Sequence, residues 1–168
     1  CAAIELQDAM DLAYLSGQRP GDVLRFTQRD IVDDALTVQQ GKTSKRLAIM
    51  LTDPDSGVRS ELGRLLDRIS ARSVRSLWLL ATPDGKRLTT GMLRLRFTAA
   101  RKAAAGLAEE SGDPHLAARI RQFQFRDARP KAASEMALDH ASDLLGHTDK
   151  QITKVVYQRV GKRVEPTK

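Results

Sequence analysis

The chain has 168 residues, of which 41% are hydrophobic, so it supports one good hydrophobic core and one domain and is not a disordered polymer. Lys and Arg (28) outnumber Asp and Glu (21), and the formal net charge of +7 favours an anionic partner, either a nucleic acid or a membrane surface. No apolar run approaches the ~20 residues of a membrane span. The start, Cys1-Ala2-Ala3-Ile4-Glu5, is no secretory signal, and the single cysteine suits a reducing cytosol.

Leu6, Met10, Ala13 and Tyr14 recur at helical spacing, with Leu12 and Leu15 beside them, and Gly17 is the stop. Pro20 opens a second, short helix through Leu24, because proline tolerates the first helical turn. Three strand-like pieces follow over 25–30, 35–40 and 46–51. The stretch Gly41-Lys42-Thr43-Ser44-Lys45 is the hairpin turn between the second and third. Leu62, Leu65, Leu66 and Ile69 mark another helix. Leu77-Trp78-Leu79-Leu80 is a brief buried run, and Pro83-Asp84-Gly85 is a turn.

Thr89 or Thr90 caps a helix predicted to run to about Ala105. A polar loop is expected over 108–114, and Pro130 starts a helix to about Leu138. Thr148 with Gln151 fits a capping box for a final helix from Asp149 to Tyr157. A short basic tail begins at Gly161. Without repeats or a linker, the expectation is one mainly α domain over 1–160 with a small antiparallel three-stranded β-sheet.

Four short motifs stand out. The first is Ser16-Gly17-Gln18-Arg19-Pro20-Gly21-Asp22. The second is Lys42 in the hairpin, and the third is Phe125-Arg126-Asp127-Ala128-Arg129. The fourth is Leu145-Gly146-His147 with Tyr157 ten residues beyond the histidine. Each alone is loose. In this order and spacing they resemble the catalytic domain of tyrosine recombinases, the phage integrase family, over about residues 3 to 160. The first motif is similar to that family's Thr-Gly-X-Arg-X-X-Glu box, and the third to its His-X-X-Arg box.

The resemblance implies a site-specific recombinase that cleaves and rejoins double-stranded DNA, for integration or excision of a mobile element. A phosphodiester is anionic and repels nucleophiles. Two guanidinium groups, which the resemblance assigns to Arg19 and Arg129, hold its non-bridging oxygens and neutralise charge as phosphorus becomes five-coordinate. By the same resemblance Tyr157 attacks, giving a 3′-phosphotyrosine and a 5′-hydroxyl. Lys42, with Lys45 as the fallback, protonates the leaving oxygen as general acid. His147 donates a hydrogen bond to the phosphate or shuttles protons, and Asp22 orients Arg19. The covalent intermediate stores the cleavage energy, so no nucleotide, metal or other cofactor is expected.

One departure from the family's pattern concerns the proton path. Arg126 stands first in the third motif, where the family has histidine, and a guanidinium cannot accept the tyrosine proton. Arg126 therefore adds a third phosphate contact or leaves base duty to His147 or water. The segment from Lys86 to Lys102 carries six basic residues and no acid; within it Arg94 and Arg96, and outside it Lys45, are expected to touch DNA phosphates. His115 and His140 fit no motif.

The family implies a homo-tetramer on paired sites, no membrane partner, and a cytoplasmic, nucleoid-associated location; this chain alone is compatible with a monomer. Integrases also carry an N-terminal domain that clamps the other face of DNA. Here the first motif begins at residue 16, so the chain is expected to lack it. Two other functions compete: type IB topoisomerase-like relaxation, which shares the site plan, and a DNA-binding module with impaired catalysis, which Arg126 motivates.

Overall fold

A computed structural model describes residues 2–146 of the chain. The expected class is correct: helices surround a three-stranded antiparallel sheet. The elements are α1 (Ile4–Ser16), α2 (Pro20–Val23), β1 (Ile31–Val32), β2 (Ala35–Gln39), β3 (Arg46–Met50), α3 (Glu61–Ser70), α4 (Thr90–Glu110), α5 (Pro114–Gln122), α6 (Ala128–Ser134) and α7 (Leu138–Leu145).

Leu6, Ala9, Leu12 and Ala13 of α1 are buried, and they meet Leu62, Leu65, Leu66 and Ile69 of α3 in the main core. Leu36 and Val38 of β2 and Leu79, Leu80 and Leu88 of the following loops complete it. Each buried leucine, isoleucine or valine among them contributes about 1.5–3 kcal/mol by leaving water. α1 also buries two carboxylates. Glu5 pairs with Arg96 of α4 at 2.9 Å, and Asp8 pairs with Arg72, whose Nη2 donates to Oδ1 at 2.7 Å. Buried charge is tolerated because each has a cationic partner.

The sheet order is β1-β2-β3. Leu36 faces Ile31 on one side and Ile49 on the other, and Val38 faces Leu47. The strand expected over 25–30 is not there. Thr27 and Asp30 instead form a capping box around a 3-10 turn, with the Asp30 carboxylate accepting from Thr27 N at 2.7 Å and Thr27 Oγ1 at 2.8 Å. β1 begins only at Ile31.

α4 runs past the expected end at 105 to Glu110, because Ala105 and Ala108 both face inward. Its start is as expected: Thr89 Oγ1 accepts from Met92 N at 3.3 Å. Within the predicted polar loop Asp113 caps α5, accepting from Leu116 N at 2.8 Å with Pro114 in the first turn. The helix expected from Pro130 begins at Ala128 and ends at Ser134, and a separate helix, α7, closes on Gly146 at φ 65°. The expected final helix lies outside the described residues. Among the described residues no helix is long and apolar enough to cross a membrane.

Candidate active site

α1 stops at Gly17, whose φ of 63° is left-handed. The reversal needs glycine twice over, because a Cβ there would lie 2.9 Å from Leu144 Cδ2. The chain then turns through buried Gln18 to Arg19. Arg19 is the extended residue that precedes α2, with Pro20 at the first helical position. Its guanidinium is partly exposed, and Nη1 donates to Gln40 Oε1 at 3.5 Å.

Gln40 follows the last residue of β2, at the base of the hairpin. Its amide nitrogen donates to Lys45 O at 2.9 Å, and Ser44 N donates to Gln40 O at 2.8 Å, which closes the turn with Ser44 at φ 54°. Lys42 sits exposed on that turn, and Lys45 is half-buried at its far end.

Asp22 was expected to orient Arg19. Its partners here are different: Oδ1 accepts from Arg25 Nη2 at 2.5 Å and from Gly41 N at 2.9 Å. Arg25, three residues on, reaches back across one helical turn, while the buried carboxylate faces the hairpin. Asp22 thus ties the Lys42 turn to α2. A polar cavity of about 420 Å³ opens here, lined by Asp22, Arg25, Gln40, Gly41 and Ser44 among others.

Arg129 arrives from α6 and is 4% exposed. Its Nη1 donates to Gly17 O at 2.5 Å and its Nη2 to Leu145 O at 2.9 Å. It therefore joins the first motif to the C-terminal end of α7. Asp127, between the two arginines, is a local cap: its carboxylate accepts from Gln124 N at 2.8 Å.

Arg126, one turn before Arg129, is exposed. It lines a cavity of about 460 Å³ with Pro20, Arg94, Arg101, Phe97 and Gln124. Arg94 thus shares a cationic concavity with Arg126, next to the Arg19 segment. Arg96 does not join them. Two residues along a helix rotate by about 200°, so Arg96 faces α1, where it neutralises buried Glu5. In this structure its guanidinium is engaged by Glu5.

The structure brings together Arg19, the Lys42 hairpin, Asp22, Arg129 and the Gly146 turn. Arg126 and Arg94 sit on the adjoining cavity. His147 and Tyr157 lie outside the described residues. The other tyrosine, Tyr14, donates to the Glu135 carboxylate, and that hydrogen bond is the first cause that pushes its pKa up, away from an activated phenol. His115 and His140 are exposed. Among the described residues no group of three acidic, histidine or cysteine side chains is placed to hold a metal ion. Two residues absent from the expected set, Gln18 and Gln40, are buried at its centre. A neutral amide carries no charge or motif signal, so only its burial reveals it.

The family model for the phage integrase family matches residues 1–163. The chain belongs to the phage integrase family. The integrase of Escherichia phage HK022 is 34% identical over 143 residues, which is 83% of this chain and 39% of that protein. The integrase of Escherichia phage lambda is 31% identical over the same shares. The chain thus spans 39% of the length of the curated relatives it matches.

Among solved structures, the lambda integrase catalytic core superimposes with a TM-score of 0.62 at 23% identity, covering 85% of this chain and 83% of that one. A lambda integrase dimer bound to a COC′ core site gives 0.69 at 22% identity, covering 98% and 46%. XerA recombinase gives 0.55 at 14% identity, covering 96% and 60%. This integrase-family domain therefore has the fold of those proteins.

Proposed function

We infer that this integrase-family domain is a tyrosine-type site-specific recombinase that breaks and rejoins double-stranded DNA. The observation that carries the reading is the meeting of Arg19, the Lys42 hairpin and Arg129 against the end of α7, which leads directly to His147. Strand cleavage needs cations around one phosphate, a proton donor for the leaving oxygen and a nucleophile.

In the proposed step the Tyr157 oxygen attacks phosphorus. The new bond is a 3′-phosphotyrosine and the bond to the 5′-oxygen breaks. The Lys42 ammonium supplies the proton that makes the 5′-hydroxyl. Arg19 and Arg129 hold the phosphate, and His147 assists it. Arg126 stays protonated, so it adds positive charge, and the phenol proton passes to His147 or water. Ligation is the reverse, with no energy source beyond the covalent bond.

Related structures hold lambda integrase as a dimer bound to a core site and as a tetramer bound to a Holliday junction. By extension, the full protein would act as a tetramer on paired DNA sites, in the cytoplasm on nucleoid DNA.

A nicked suicide DNA substrate, which loses a short fragment after cleavage, traps the adduct. The wild-type chain is expected to form a covalent complex and Tyr157→Phe none, a loss of at least about 10³-fold. An adduct that persists in Tyr157→Phe removes the nucleophile assignment. Tight binding without cleavage at every site tried points to a binding module, and relaxation of plasmid without a specific site points to a topoisomerase.

A further inference from the structure

Gln40 is 1% exposed at the base of the hairpin. A buried primary amide has two N–H donors and an oxygen with two lone pairs to satisfy. Gln40 satisfies them with four different groups. Its Nε2 donates to Gln18 Oε1 at 2.8 Å and to Leu145 O at 2.9 Å. Its Oε1 accepts from Thr43 Oγ1 at 2.6 Å and from Arg19 Nη1 at 3.5 Å.

Those groups belong to separate parts of the site. Thr43 is the neighbour of Lys42. Leu145 O is the same carbonyl that accepts from Arg129 Nη2. Gln18 passes the network on, its Nε2 donating to Leu144 O at 2.8 Å. The backbone of Gly146 presses directly on the amide, since a Cβ there would lie 2.9 Å from Gln40 Nε2. One uncharged side chain thus touches the Arg19 guanidinium, the lysine turn and the carbonyl that holds the second arginine.

We propose that Gln40 is a positioning residue for strand cleavage, whose amide holds the Lys42 turn in place and ties it to the end of α7. The proposal rests on the recombinase reading of the site. Neither a carboxylate nor a hydrocarbon can replace the amide. Glutamate keeps the two acceptors but loses both donations, and methionine keeps the shape and loses all four bonds. Misplacement of a reacting group by about 1 Å can cost ~10²-fold in rate, so the effect is expected in the chemical step.

The test compares two nicked substrates: ordinary DNA, and DNA with sulfur in place of the 5′-bridging oxygen at the scissile phosphate. A thiolate leaves without a proton, so sulfur bypasses a misplaced general acid. It does nothing for a chain that has lost its fold. Lys42→Ala is the reference for complete loss of the acid.

Gln40→Met is expected to cleave the oxygen substrate about 30- to 100-fold more slowly and the sulfur substrate within about fivefold of wild type. Its circular dichroism and cooperative melting should remain. Thr43→Val, on the exposed turn, keeps the fold and should show the same sulfur-selective recovery with a smaller loss of about 3- to 10-fold. Equal fractional losses on both substrates, or wild-type rates on both, in these variants overturn the proposal while Lys42→Ala is still rescued by sulfur. A wild-type chain that forms no adduct with either substrate overturns the recombinase reading itself, and this proposal with it.

Discussion

At the residue scale, two basic side chains that look alike in the sequence behave differently. Arg94 is exposed on the cavity that holds Arg126, and Arg96 is bonded to a carboxylate that is 5% exposed. Counting basic residues along a stretch cannot separate them, because the count ignores the helical turn that puts one on each face. Arg94→Ala should therefore weaken DNA binding and lower the slope of log affinity against log salt by about one, measured by fluorescence anisotropy. Arg96→Ala should leave that slope unchanged. It should instead lower unfolding free energy by roughly 2–4 kcal/mol in urea titration, less than for a fully buried pair because Arg96 is part exposed. An altered salt slope in Arg96→Ala returns that residue to the DNA interface.

Asp22 makes the same point about partners. Its place in the first motif suggested Arg19, but three-dimensional reach favours Arg25 and the Gly41 amide. Asp22→Asn keeps the side chain's size and removes its charge. The Gly41 amide should then exchange its hydrogen faster, with stability lower by about 1–3 kcal/mol, the range for weakening a charge-assisted hydrogen bond in a buried setting. Unchanged exchange at Gly41 shows that the turn is held without Asp22.

At the element scale, caps and turns explain both the successes and the misses. The Thr89 cap of α4 and the glycine stop of α1 were readable because capping chemistry is local. Asp113-Pro114 carried an equally local signal for α5, but lay inside a stretch dominated by polar residues. α7 is eight residues long and is marked chiefly by its glycine stop. Thr27 and Asp30 close a capping box where alternation alone suggested a strand.

The turn before α4 has a pH signature. The Lys86 ammonium, then the Thr82 hydroxyl, hold the Asp84 carboxyl down at about 2. A carboxyl with a folded pKa below its unfolded value near ~3.9 stabilises the fold above that value, and the stabilisation disappears as pH falls from about 4 toward 2. Wild type should therefore melt above Asp84→Asn at pH 6, and the gap in Tm should narrow below about pH 4 and close toward about pH 2. The turn matters to the site because Arg87, just beyond it, stacks 4.4 Å above the Trp78 ring and donates to Leu24 O at 2.9 Å, at the end of α2. A Tm gap that stays constant across this range rules out the carboxylate as its source.

At the scale of the whole molecule, the site exists only where α1, the hairpin, α6 and α7 come together. Gly17 is one of the tight points of that convergence. Its φ of 63° and its approach to Leu144 both disfavour a Cβ. Gly17→Ala should cost about 2 kcal/mol or more and should move α7 away from Gln18, read as weaker protection of the backbone around Leu144 in hydrogen exchange. Wild-type stability in that variant refutes the tight packing.

Local chemistry in the chain, by itself, decided a great deal: the mainly helical class, the hairpin that bears Lys42, the cap of α4 and the ordered motifs that mark the family. Such features depend on neighbours within a few residues, so spacing and side-chain type are enough. Tertiary structure alone decided which guanidinium meets which acceptor, that Arg96 serves the core, and that two glutamines sit at the centre. Those outcomes depend on which groups the fold brings together, some of them far apart in the chain, such as Gln40 and Leu145, 105 residues apart. Hydrogen bonds act over about 3 Å, and no periodicity in a sequence encodes a distance of that kind.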